Sequence, residues 1–286
     1  MHSILPILFI LITTSAAAAL PNKAPSHHRI KPTSDSDDQR QSKYFYEAGG
    51  SMELGHYDAR YFRGEVPYEA HGPALRHLIR SWLMIARELG VETWLAHGTL
   101  LGWWWNGRVM PWDYDLDVQM PTATLVYLGR YFNRTVYDYQ FLKEEEEVRW
   151  KEGRKGSGGG MVDVGDGGGA GRDEAYDGYV NKTYLLDVNP HHTEIERGNG
   201  HNIIDARWID VSNGLFIDIT GLAERDPARN PGVWSCKNGH KYRSTELYPV
   251  RHTEFEGVPA SVPYAFDKIL TDEYGSKSLV NTKWAG

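Results

Sequence analysis

From Pro67 to Gly90 apolar residues recur every three or four positions, at Leu75, Leu78, Ile79, Trp82, Ala86 and Leu89. That spacing lines one side of a helix, and Gly90 ends it. The period then shortens. "VETWLAHG" predicts a short strand, Val91 to Ala96, running into a Gly-Thr step at Gly98 and Thr99. "TLLGWWW" predicts two helical turns, "NGR" a turn, and "DYDLDVQM" (113–120) a strand closed by Pro121. Thr122 to Phe132 predicts a second helix. "TYLLDVNP", "ARWIDV" and "GLFIDITGL" (Gly214 to Leu222) predict further strands. Strands mixed with helices in this order indicate an α/β (α+β) domain.

The periodic part is bounded by segments of other kinds. Ile4 to Ile12 is an apolar run interrupted by Pro6, and Ala16 to Ala19 supply small residues for cleavage. Residues 1–20 therefore read as a secretory signal peptide or, if retained, a signal anchor. This predicts the secretory pathway, with the Golgi lumen or membrane or secretion as destination, and membrane association through this segment. The sequons at Asn133 and Asn181 fit that route. Residues 21–43 are polar and read as a linker without a core. The folded part is expected over 44–286. Inside it, Glu144 to Glu147 and the Gly-dense stretch Gly153 to Gly178 look like a low-complexity insertion. No G-K-[ST] follows the glycines, so they are not a P-loop.

Composition narrows the choice. Hydrophobic residues are 41% and aromatics 12% of the 286, enough for a sizeable core. A net charge of −7 argues against a nucleic-acid binder, though not against a nucleotide substrate whose phosphates arrive with metal ions. The single cysteine, Cys236, excludes an intrachain disulfide and a Cys-rich zinc module.

The chemistry centres on Asp113, Asp115 and Asp117. Alternate residues of a strand share a face, so the three carboxylates would project together and repel. Full solvation or a bound divalent cation would relieve them, and hard oxygen ligands suit Mg²⁺ or Mn²⁺. The Gly98-Thr99 step opens a helix, where backbone N–H groups can take a phosphate. A third carboxylate on a later strand would complete a metal site. Asp218 is the first candidate, as the one acid of an apolar strand; Asp210 and Asp187 are rivals.

"HGTLLGWWWNGRVMPWDYDLDV", His97 to Val118, resembles the signature of the LicD/fukutin family, with a nucleotidyltransferase-like mixed sheet flanked by helices. The matching residues are Gly98, Thr99, Asp115, Asp117 and, in "GLFIDIT", Asp218. "FEGVPASVP" and "ILTDEYG" are similar to the family's closing segment. "LLDVNPHH", "NIIDARWIDVSNGLFIDIT" and "CKNGHKY" look most like fungal proteins linked to mannosylphosphate transfer. The resemblance implies a metal-dependent phosphotransferase with GDP-mannose as donor and a mannan-type glycan as acceptor, with Asp115, Asp117 and Asp218 as catalytic metal ligands. Two other readings stay open. One is a non-catalytic regulator of that transfer. The other is an Asp-x-Asp glycosyltransferase, which would release GDP instead of GMP.

Several residues carry a plain reading beside a functional one. Trp103 to Trp105 would pack their helix against the sheet, and Trp112 would shield the acids. Asp113 is expected to orient ligands. Arg207 either clamps a phosphate or pairs with an acid. His191, His192 and His201, and the Cys236–His240 pair, lack the sets a zinc site needs.

Overall fold

The computed structural model describes residues 42–142 and 179–280. The expected signal segment, nearly all of the linker, and the Gly-dense insertion lie outside the described residues. Among the described residues no helix is long and apolar enough to cross a membrane.

The amphipathic run forms α1 (Tyr68–Glu88), which buries Leu75, Leu78, Ile79, Trp82 and Ala86. Pro73 is its sixth residue, where the missing N–H costs one i→i−4 bond, to the Glu69 carbonyl. Then follow β1 (Trp94–Leu95), α2 (His97–Asn106), β2 (Leu116–Pro121), α3 (Thr122–Tyr131), β3 (Thr135–Leu142), β4 (Tyr179–Val188), β5 (Ala206–Asp210) and β6 (Phe216–Glu224). Two hairpins come next. They are β7 (Val233–Ser235) with β8 (Lys241–Arg243), and β9 (Arg251–Phe255) with β10 (Val258–Val262). A single turn of helix, α4 (Ser244–Leu247), joins them, and α5 (Phe266–Tyr274) follows.

The main sheet runs β1-β2-β6-β5-β4-β3, with β7 continuing from the far end of β6. Among the described residues only β2 and β6 pair in parallel; the other pairs are antiparallel. This is a mixed sheet flanked by helices, as the sequence predicts. One face carries Val118, Ile217, Ile219, Trp208 and Leu186 into the main core with α1. There Trp82 and Trp208 meet at 5.6 Å between ring centroids, and the Trp208 indole N–H donates to Ser81 at 2.9 Å. The three tryptophans of α2 hold their helix, though against β9 and the C-terminal segment and not against the main sheet. Trp103 donates to Thr253, Trp104 to the Leu279 carbonyl and Trp105 to the Ser278 carbonyl, at 2.9–3.0 Å. Together they hold α2 against the C-terminal segment.

One expectation needs correcting. Asp113, Asp115 and Asp117 do not share a strand, because β2 begins at Leu116. The partner strand is the reason. The first β2–β6 pair is Leu116 with Ile217; two residues earlier Leu215 stays bonded to Asp210 of β5, and Tyr57 bridges the edge that Tyr114 would need. Asp113 and Asp115 therefore lie on the irregular approach to the sheet.

Candidate active site

The second face of the sheet is polar at one level. Parallel pairing puts Asp117 of β2 opposite Asp218 of β6. Antiparallel pairing puts Arg207 of β5 opposite Asp218, and Asp187 of β4 opposite Arg207. Register partners on adjacent strands share a face. Asp117, Asp218, Arg207 and Asp187 thus form one row across four strands, each flanked along its own strand by residues of the apolar core.

The N-terminal residues 44–62 cover the Arg207 end of this row. Arg207 is 2% exposed. Its Nε donates to Asp218 at 2.8 Å, its Nη2 donates to Glu47 at 2.8 Å, and its Nη1 lies 3.7 Å from Asp58. The guanidinium sits 3.6 Å from the Phe216 ring centroid and 4.8 Å from that of Phe45. The Arg60 guanidinium donates twice to Asp58 and once to Asp187, which also accepts from the Tyr44 hydroxyl. Of its two readings, Arg207 takes the acid-pairing one in this arrangement. Asp187 is likewise committed to Arg60 and Tyr44. Asp210 accepts from Ser212 and Asn213 in the turn before β6, away from the row.

The Asp117 end is closed by α2. Thr99 is buried, and its hydroxyl accepts the Asp117 backbone N–H at 2.9 Å. Ala96 donates to the Asp117 carbonyl at 3.1 Å. Thr99 therefore fixes the acid-bearing strand to the start of the helix. Gly98 has a different reason to be small: a Cβ there would stand 3.4 Å from Asp113 Oδ2. The first N–H groups of α2 have no partner within the helix, so this end of it is suited to an anion.

The carboxylates are under mutual strain. Burial pushes Asp117 well above the ordinary carboxylate range; His97 opposes this, while Asp115, Asp218 and Asp113 add to it. Asp218 is raised by burial in spite of Arg207. Burial and then the hydrogen bond and charge of Asp115 push Asp113 up to about 8. Asp113 Oδ2 is buried with no hydrogen-bond partner. Asp115 is the open member, its side chain 49% exposed, with His56 Nε2 3.9 Å away. Hard oxygen donors crowded beyond what the protein neutralises fit a divalent cation in chemistry. Their placement is incomplete: among the described residues no three His, Cys, Asp or Glu side chains are gathered as a ready ligand set, and Asp218 faces Arg207.

Other histidines keep to local roles. His191 meets Glu194 at 2.7 Å and His192 the Asn189 carbonyl at 2.8 Å. His201 is exposed on its loop. Cys236 Sγ and His240 Nδ1 are 3.3 Å apart. Sequence reasoning did not anticipate that the His240 ring lies 4.3 Å from that of His97, or that His97 meets Glu273 at 3.0 Å. It also gave no role to Glu47, Asp58 and Arg60. The spacing Asp58-x-Arg60 was the available signal, since both residues fold back onto one carboxylate network.

Residues 90–159 match the family model described as LicD/FKTN/FKRP, nucleotidyltransferase domain. The chain carries a LicD-family domain match over these residues. The match contains Gly98, Thr99 and the acids Asp113, Asp115 and Asp117; Arg207 and Asp218, outside the matched residues, join the same row from β5 and β6. The chain is also similar to two proteins of Saccharomyces cerevisiae. It is 33% identical over 223 residues to Mannosyltransferase regulator 4, covering 73% of this chain and 16% of that protein. It is 33% identical over 215 residues to Mannosyltransferase regulator 14, covering 70% of this chain and 19% of that one. The chain therefore spans less than a fifth of the length of either curated relative.

Proposed function

We propose that this protein modifies glycans by moving a phospho-sugar from a nucleotide donor to a glycan hydroxyl, with mannose phosphate from GDP-mannose as the cargo. The observation that carries the reading is the register of Asp117 against Asp218 on parallel strands, beneath the N-terminus of α2 and beside Asp115. In this reading Asp115 and Asp117, with Asp218, hold Mg²⁺ or Mn²⁺, which when bound would neutralise the donor pyrophosphate. The free N–H groups at Gly98 and Thr99 take a phosphate oxygen. The acceptor hydroxyl oxygen bonds to the phosphorus nearest the mannose, the bond from that phosphorus to the bridging oxygen breaks, and GMP leaves. Asp218 or a neighbouring carboxylate takes the hydroxyl proton. A secretory location would bring the site to such acceptors.

A second reading is favoured by one observation: Asp218 is ion-paired with a buried Arg207. A site so neutralised suits a protein that binds donor or glycan and assists a separate transferase, in keeping with relatives named regulators. Incubation with several nucleotide-alcohol donors, Mn²⁺ and a mannan glycan, followed by mass spectrometry, separates the readings. Phosphate-linked mannose with GMP supports the phosphotransferase. Mannose without phosphate and GDP identifies a glycosyltransferase. Donor binding without turnover identifies the regulator.

A further inference from the structure

His97 stands in an unusual place. It is the first residue of α2, yet its φ is +50°, in the left-handed region that a side chain other than glycine's rarely adopts. Such a conformation is strained and persists only where the surroundings hold it. Here both ring nitrogens are held. Nδ1 lies 3.0 Å from Glu273 Oε2 on α5, and Nε2 lies 3.3 Å from Gln119 Nε2 on β2, two residues beyond Asp117. The Gln119 amide is itself oriented. Trp94 Nε1, which can only donate, gives its hydrogen to Gln119 Oε1 at 3.3 Å. The Gln119 NH₂ group must then donate, to His97 Nε2 and to the Tyr242 hydroxyl at 3.4 Å. Tyr242 donates onward to Glu273 Oε1 at 3.2 Å. His97 Nδ1–H donates to the other oxygen of Glu273, and the ring of bonds closes with every donor matched to an acceptor.

We infer that His97 is a positioning residue for the donor-phosphate end of α2, held as the Nδ1–H tautomer by the ring through Gln119, Tyr242 and Glu273. The inference rests on the reading of this site as one for a nucleotide-linked phosphate. The backbone that follows His97 is the Gly98-Thr99 step, and Thr99 in turn holds Asp117. A side chain anchored to α5 thus sets the angle at which the helix start meets the acidic strand. The neighbouring acids Glu273, Asp117 and Asp115 draw the imidazole toward its charged form against the effect of burial. The oriented Gln119 NH₂ can donate only to the neutral ring, so the Nδ1–H tautomer belongs to the neutral form.

The experiment has two arms. In the first, long-range proton–nitrogen NMR of ¹⁵N-histidine-labelled protein reads the tautomer of His97 without ligand. A solvated histidine side chain favours Nε2–H, so an Nδ1–H signature for His97 that is lost in Glu273→Gln supports the ring. An Nε2–H signature overturns it. In the second, binding of GDP-mannose with Mn²⁺ is measured by calorimetry. Glu273→Gln supplies one acceptor where the ring needs two, and His97→Gly keeps the positive φ without its strain. Each should weaken donor binding roughly tenfold, on the scale of one lost hydrogen bond to a charged group. The double variant should fall no further, since both members act as one unit. Wild-type affinity in folded His97→Gly and Glu273→Gln overturns the positioning role. A wild type that binds no nucleotide-sugar donor overturns the proposed function and the positioning role with it, and the tautomer arm then decides separately whether the ring exists.

Discussion

Asp117 and Asp218 face one another across a parallel pair of strands, yet removing their charges should have opposite effects on folding. Asp117 is crowded by three other carboxylates, and its charge is opposed by burial. Asp117→Asn keeps the shape and removes the repulsion, so the melting temperature of the metal-free protein should rise. Asp218 is the charge partner of a fully buried guanidinium. Asp218→Asn leaves Arg207 with one partner fewer and should cost about 2 kcal/mol, within the range for hydrogen bonds to charged groups. Thermal melts in chelator test the pair; a loss of stability in Asp117→Asn would contradict the crowding. Adding Mn²⁺ tests the cation. Wild type should gain stability in proportion to binding, and Asp115→Asn or Asp117→Asn should shrink that gain while Asp113→Asn retains most of it. A gain undiminished in the Asp115→Asn, Asp117→Asn double variant would remove the metal from this site. In an active enzyme either single change should lower transfer about a thousandfold or more.

At the scale of elements, α2 and β2 are joined by a bond that sequence reasoning assigned to a ligand. The Gly-Thr step predicted a phosphate turn, and the Thr99 hydroxyl turns out to hold the Asp117 N–H. Thr99→Val preserves volume but strands a buried donor, at a cost of about 1–3 kcal/mol. Thr99→Ser should be near neutral. Equal stability of the two variants by denaturant titration would show that the bond contributes nothing. Elements set by local pattern were legible: the helix expected over Pro67 to Gly90 spans Tyr68–Glu88, and the strand around Asp218 spans Phe216–Glu224. Those defined by a neighbour were not. The acids of "DYDLD" alternate like a strand, but pairing with β2 ends where Tyr57 takes the Leu215 edge. In β3 the exposed Val136 interrupts an otherwise readable alternation, and β7 and β8 have three residues each, too short for a period to show. Asp218 was legible as a lone acid in an apolar strand; its pairing with Arg207 depends on register, which composition does not carry.

For the molecule as a whole, the main question is how a sequence interrupted by residues 143–178 supports one continuous sheet. The register answers it. β3 ends at Leu142 and β4 begins at Tyr179, and these two residues are Cα partners in an antiparallel pair. From there the pairing runs unbroken to Thr135 opposite Leu186. Residues 143–178 thus join two chain ends that already lie side by side, as the loop of a hairpin does, and short turns of about two to five residues suffice for that connection. Closure entropy rises only slowly with loop length, so shortening the connection should leave stability unchanged or raise it by about 1–2 kcal/mol. The polar row and α2 stand on β2, β6, β5 and β4, away from the β3 edge, so the site should keep its geometry. Replacing residues 143–178 with Asn-Gly flanked by single polar residues should therefore give soluble protein that melts at or above the wild-type temperature and keeps the wild-type Mn²⁺ response. Insoluble protein, or a melting temperature lowered by more than a few degrees, would show that the removed residues pack onto the domain.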